Sequence, residues 1–133
     1  MTDRARDRFG IGKGDRVAIC AANCPEWILT FWACAVLDAV LVAMNGWWTG
    51  PEMRNAIKLT EPSLLIMDEK RHARLEGRAE AARALVIERD WDSVPVAGVT
   101  ALPDVEIHED DPYELLFTSG TTGRPKAAIL SHR

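Results

Sequence analysis

From Trp27 to Met44, 16 of 18 residues are apolar, and a stretch of that kind either crosses a bilayer or is folded away inside a protein. Its length is near the lower limit for a membrane-spanning helix. Asp38 lies within it, however, and an aspartate in mid-span costs about 2.5–3.5 kcal/mol on insertion scales. The run also divides at that aspartate. The part after Pro25 has the composition of a helix, whereas Val40-Leu41-Val42 is rich in β-branched residues and suits a strand, and Asn45-Gly46 closes the run with a turn signal. The pattern predicts a buried helix followed by a buried strand, Val40–Ala43, and no transmembrane span. A membrane-associated hydrophobic protein is the competing reading. Asp3 and Asp7 among the first arginines argue against a secretory signal.

Similar units flank this one. Gly10, Gly12 and Gly14 with Asp15 form a turn that leads into a short apolar strand, Arg16–Ala21. Asn23 is placed to cap the following helix, with Pro25 tolerated in its first turn and Glu26 favourable to the helix dipole. That helix, to about Asp38, is apolar almost all round and calls for cover on more than one side, so Trp27 and Trp32 are predicted core. Thr49-Gly50-Pro51-Glu52 reads as a capping box that starts a helix, and Glu61-Pro62 stops it near Thr60. Ser63–Met67 reads as a third strand, residues 69–83 as a charged surface helix that Gly77 interrupts, and Leu85–Ile87 as a fourth strand. Residues 90–112 hold prolines and a glycine with few periodic apolar positions and read as a connecting loop. Strands alternating with helices imply an α/β fold with a mostly parallel sheet.

With 133 residues, 47% of them apolar and 27% charged, the composition is that of one globular domain with a core. A net charge of −4 gives no electrostatic case for binding nucleic acid. Cys20, Cys24 and Cys34 form no Cys-x-x-Cys pair, and His72, His108 and His132 lie far apart, so no metal-ligand spacing is present. Free cysteines of this kind fit buried apolar side chains in a reducing, cytoplasmic compartment.

One segment carries chemistry. Thr118-Ser119-Gly120-Thr121-Thr122-Gly123-Arg124-Pro125-Lys126 packs hydroxyls, glycines and a lysine between two strand-like apolar runs, Leu115–Phe117 and Ala127–Leu130. Glycines let backbone N–H groups approach an anion, hydroxyls donate to phosphoryl oxygens, and a lysine supplies a point charge. The P-loop pattern Gly-x-x-x-x-Gly-Lys is excluded, because Pro125 stands where it needs glycine. On these residues alone, a polyphosphate cradle and an ordinary polar turn are equally good readings.

The segment Thr-Ser-Gly-Thr-Thr-Gly-x-Pro-Lys resembles the phosphate-binding signature of the adenylate-forming enzymes, a superfamily of acyl-CoA synthetases, nonribosomal peptide adenylation domains and luciferases. Its eight fixed positions, at roughly 6% usage each, coincide by chance about once in 10^10 starts. Upstream, Gly14-Asp15-Arg16-Val17-Ala18-Ile19 and Asn23-Cys24-Pro25-Glu26-Trp27 resemble the first strand and helix of that family's large domain, and Asn45 through Glu52 resembles its next loop and helix entry. Trp47-Trp48-Thr49 is more similar to the acyl-CoA synthetase branch.

The resemblance implies that residues 1–133 are part of the layered α/β large domain, cut after the phosphate-binding loop. It implies a ligase that joins a carboxylic acid, a fatty acid in this branch, to ATP as an acyl-adenylate and then passes the acyl group to CoA. Thr118, Ser119, Gly120, Thr121, Thr122 and Gly123 would cradle the ATP phosphates, with Mg2+ carried by the nucleotide. Lys126 would offset charge on the departing pyrophosphate. The family's motifs for adenine and ribose and its small domain with a catalytic lysine have no counterpart here, so the chain is expected to be catalytically incomplete. A non-enzymatic polyphosphate-binding module or a degenerate pseudoenzyme is the alternative. Ala127 stands where the family has glycine, a change that brings strain if the position needs positive φ and little if it only begins a strand. Trp47-Trp48 is expected to pack in its loop or to meet residues outside the chain, with the lining of an acyl channel as the competing reading. His132 is expected to enter a helix after the strand, and Asp110-Asp111 to form a solvated turn.

Overall fold

The computed structural model describes residues 8–77, 83–94, 101–118 and 126–133. Strand β1 spans Arg16–Cys20, helix α1 Pro25–Leu37, β2 Val40–Ala43, α2 Gly50–Thr60, β3 Leu64–Met67 and α3 Glu69–Ala73. Strand β4 covers Arg83–Val86, a one-turn helix α4 Ile87–Asp90 continues into a 3-10 turn at Trp91–Ser93, and β5 and β6 are Pro112–Thr118 and Lys126–Ser131. The strands form one sheet in the order β4-β3-β1-β2-β5-β6. Every neighbouring pair is parallel except β5–β6, so the sheet is mostly parallel as its α/β pattern predicts.

The order explains the two-sided core. Helix α1 links the neighbours β1 and β2, whereas α2 carries the chain from β2 past β1 to its other side. Successive strand residues therefore feed different layers. Val17, Ile19, Leu41, Leu64 and Ile66 pack with Cys34 and Leu37 of α1. Ala18, Cys20, Val42, Leu65 and Met67 pack with Met53, Ala56 and Ile57 of α2. Strands buried on both faces read as continuous apolar runs, and so the Trp27–Met44 stretch resolves into α1 and β2. No helix among the described residues is long and apolar enough to cross a membrane.

Local signals place most helix ends. The Glu52 carboxylate accepts from the Thr49 N–H at 2.7 Å and from the Thr49 hydroxyl at 2.8 Å, and Glu61 ends α2 in the left-handed region at φ 44°. Asn23 does not cap α1. Cys24 is its N-cap, extended at φ −149° and without a side-chain bond, while Pro25 supplies the first helical φ and Glu26 lies in the first turn. The helix predicted over 69–83 stops at Ala73, and left-handed Glu76 (φ 53°) and Gly77 (φ 69°) turn the chain away. Strand β4 ends at Val86, one residue before the expected Ile87, where the Asp90 carboxylate accepts the Val86 N–H at 2.7 Å and closes a helical turn.

Among the described residues the cover expected around α1 lies on one side. Thr30, Ala33, Cys34 and Leu37 are buried, and Trp27 and Phe31 pack half-buried on the core. Trp32, expected in the core, is 61% exposed, and Ile28 and Leu29 share its open face. An apolar helix reads the same from sequence whether one face is covered or two.

Candidate phosphate-binding site

The two ends of the motif meet across the antiparallel pair. Thr118, the last residue of β5, lies directly opposite Lys126, the first of β6, and the Thr118 hydroxyl donates to the Lys126 carbonyl at 3.4 Å. Both side chains are exposed, and among the described residues no carboxylate lies within ion-pair distance of the Lys126 ammonium. Ser119, Gly120, Thr121, Thr122 and Gly123 lie outside the described residues. Ala127 is paired opposite Phe117 inside β6. It is absent from the described residues with positive φ, so a glycine is not needed there and the strain considered for alanine does not arise.

Because β5 runs parallel to β2, Thr118 sits at the carboxyl edge of the parallel strands. The loop between β2 and α2 lies there too, for Trp48 meets the Phe117 ring edge-on at 4.9 Å and 80°. Trp48 thus packs in its loop as expected, while Trp47 is 87% exposed.

That loop is held by two arginines that sequence reading passed over as surface charge. Arg71 Nε and Arg74 both donate to the Gly46 carbonyl, at 3.1 and 2.9 Å, and Arg74 also donates to the Trp48 carbonyl at 3.0 Å. The approach is close enough that a Cβ on Gly50 would lie 2.2 Å from the Arg74 carbonyl oxygen. Asp68 orients Arg71, accepting from its N–H at 2.8 Å and pairing with its guanidinium, and accepts from the Ala22 N–H at 2.9 Å. Partial burial alone would raise the Asp68 pKa, but these donors outweigh it and hold the carboxyl below its usual range. The loops after β1, β2 and β3 are thereby locked together beside the hairpin.

The cysteines are inert by the same reasoning. Burial pushes the Cys20 thiol up to about 11 and the Cys34 thiol up to about 12, far from a reactive thiolate. Among the described residues no group of three or more His, Cys, Asp or Glu side chains is placed to hold a metal ion.

A second polar centre lies at the opposite end of β5 and β6. Asp38 ends α1 in the left-handed region, at φ 52° and ψ 33°. Its carboxylate accepts from His132 Nε2 at 2.9 Å and lies 2.6 Å from the Lys13 ammonium. Lys13 also donates to Asp111 at 2.6 Å and to the Glu106 carbonyl at 2.7 Å. The Lys13 bond and the His108 N–H hold the Asp111 carboxyl down at about 2, so this turn is ion-paired rather than simply solvated. His132 follows β6 and packs its ring 5.1 Å from that of Tyr113.

A parallel α/β sheet with a hydroxyl-, glycine- and lysine-rich connection at its carboxyl edge has the setting of a nucleotide-phosphate site. The model of the AMP-binding enzyme family matches residues 6–133, and the chain belongs to that family. Among curated relatives it is 32% identical to 4-coumarate--CoA ligase 2 of Oryza sativa subsp. japonica, over 97% of this chain and 26% of that protein. It is 35% identical to feruloyl-CoA synthase of Amycolatopsis sp, over 92% of this chain and 24% of that one. The inhibitor-bound N-terminal domain of FACL13 from Mycobacterium tuberculosis superposes with a TM-score of 0.86 at 27% identity, covering 97% of this chain and 34% of the other. A fatty acyl CoA synthetase of the same organism gives 0.85 at 25%, covering 97% and 26%. The chain thus spans about a quarter of the length of the curated relatives it matches.

Proposed function

We propose that this chain supplies the polyphosphate-binding corner of an acid–CoA ligase. The observation that carries the reading is the register that sets Thr118 opposite Lys126 and so brackets the motif at the carboxyl edge of the sheet. Ser119, Gly120, Thr121, Thr122 and Gly123 with the Thr118 hydroxyl cradle the β- and γ-phosphates of ATP. Lys126, at the mouth of the hairpin and unpaired with any described carboxylate, offsets the charge that builds on pyrophosphate as it leaves. This is a fixed electrostatic contribution and moves no proton. The donor set of hydroxyls, amides and an ammonium suits phosphoryl oxygens and not a cation, so Mg2+ enters held by the nucleotide.

In the reaction a carboxylate oxygen attacks the α-phosphorus, the bond from that phosphorus to the bridging oxygen breaks, and pyrophosphate departs. The thiol of CoA then attacks the acyl carbon, loses its proton, and AMP leaves. The relatives' printed names span aryl and fatty acids, and a fatty acid is the reading proposed here, on the likeness to the mycobacterial fatty acyl CoA synthetase. Residues 1–133 form part of the large domain. On their own they bind Mg-ATP without turning it over, because contacts that orient the carboxylate supply much of such a barrier.

Calorimetric titration of the chain with Mg-ATP tests the reading. The wild type is expected to bind, and Lys126→Ala to bind about 10- to 100-fold more weakly, the range for losing one charged contact. Identical heats for the two proteins overturn it. Robust ATP–pyrophosphate exchange by the 133-residue chain would contradict the catalytic incompleteness.

A further inference from the structure

The hairpin that carries the motif is the more open part of the sheet, packed on the core through Leu115, Phe117 and the Tyr113 ring against Phe31. Strand β5 pairs with β2 through only three residues, Glu114, Leu115 and Leu116. Leu116, Ile129 and Leu130 are exposed, Ile129 by 69%. At the motif end Phe117 packs on the core with the Trp48 ring edge-on against it. At the far end both strands converge on one carboxylate. Strand β6 reaches Asp38 directly through His132 Nε2–H, and β5 reaches it through Asp111 and the shared Lys13 ammonium. The two ends are also bonded to each other, since the His132 N–H donates to the Asp111 carbonyl at 3.3 Å.

Asp38 is an unusual residue for its position. A left-handed backbone at a helix end suits glycine, and aspartate adopts it less easily. Its side chain is 1% exposed, and a buried carboxylate is tolerated only when paired. The Lys13 ammonium lies 2.6 Å from one carboxylate oxygen and His132 Nε2 lies 2.9 Å from the other, so each oxygen has its own partner. The helix end itself would be made at least as well by glycine, so what the aspartate contributes is its carboxylate.

We propose that Asp38 is a positioning residue for the phosphate hairpin, acting through Lys13 and His132. It anchors the Pro112/Ser131 end so that the Thr118/Lys126 end, six residues and roughly 20 Å along β5, presents its donors in one geometry. The proposal rests on the reading of the motif as a phosphate site, but the anchor and that reading are tested separately.

Asp38→Gly separates the backbone from the carboxylate, because glycine keeps the left-handed turn and removes only the anchor. Amide hydrogen exchange is followed in β5–β6 and in the β1–β3 pair, for wild type, Asp38→Gly and Asp38→Asn. The expected result is exchange about tenfold faster at amides paired between β5 and β6, with those of β1 and β3 within about twofold of wild type. Mg-ATP affinity is expected to fall about fivefold in the same variants through the lost preorganisation. His132→Gln is expected to add nothing to Asp38→Gly, since both remove the same link. Unchanged exchange in β5–β6 overturns the anchor. So does a uniform rise across the sheet in both Asp38 variants, which would make Asp38 a residue of the whole fold. Should Asp38→Gly alone unfold, Asp38→Asn decides by the same comparison. A wild type that binds no Mg-ATP defeats the phosphate reading and leaves the exchange result to judge the anchor.

Discussion

The β1–β3 half of the sheet and the β5–β6 hairpin are built to different rules. In β1, β2 and β3 nearly every residue is buried, and the two faces are sealed by α1 and α2. In β5 and β6 no residue is fully buried, and several large apolar side chains are exposed. The same sheet therefore holds a region packed on both faces and a region with fewer apolar contacts and a polar centre at one end, and the residues suited to phosphate chemistry are on the second. Interior packing gives a single well-defined frame, whereas a strand pair attached at its margins is free to place polar groups toward a ligand.

The largest expected effect that tests this contrast is on stability. Ile19→Ala and Leu65→Ala, one from each face of the inner half, are expected to lose about 2–5 kcal/mol by urea denaturation. Ile129→Ala is expected to lose less than about 1 kcal/mol. Equal losses in the two regions would abolish the distinction. Next comes Thr49→Ala, which removes one of the two Thr49 donors to the Glu52 carboxylate at the start of α2 and is expected to lose about 1 kcal/mol in the same measurement.

A smaller effect depends on pH. The Asp111 carboxyl is held near 2 by its bond to Lys13 and by the His108 N–H, against an unfolded value of about 3.9. A depressed carboxylate contributes stability that is fully present above the unfolded value and is lost as pH falls through the folded one. The urea midpoint is therefore expected to drop between about pH 4 and pH 2, and Lys13→Met is expected to flatten that drop. The side chain is partly open to solvent, so the change is modest. An equally steep drop in the variant would remove Asp111 from the account. The smallest effect is that of Ala127→Gly. With Ala127 in an ordinary strand conformation, glycine is expected to lose about 0.5–1 kcal/mol. A gain in stability would mean that the position favours glycine after all.

What was legible in the sequence follows the range of the forces involved. Helix α2 was readable at both ends, because Thr49, Glu52, Glu61 and Pro62 act within a turn of the residues they cap or stop. Strand β2 was readable residue for residue from its apolar run. The antiparallel direction of β6 and the exposure of Trp32 depend on what packs from elsewhere in the chain, and no local pattern carries that. The motif was visible as chemistry, and the ends of its hairpin were placed nearly to the residue by the flanking apolar runs. The Asp38 centre was not. Its partner His132 lies 94 residues away, and within its own segment Asp38 registered only as an interruption of an apolar run. Arg71 and Arg74 were hidden similarly, as members of a charged surface helix whose targets are backbone carbonyls in another loop.

Mapping the backbone amide shifts of the chain on addition of Mg-ATP tests the central claim most directly. The account predicts the largest changes at Phe117, Thr118, Lys126 and Ala127, at the mouth of the hairpin, with Val17–Cys20 and Leu64–Met67 nearly still. No change at the hairpin, or changes centred on β1 and β3, would contradict it.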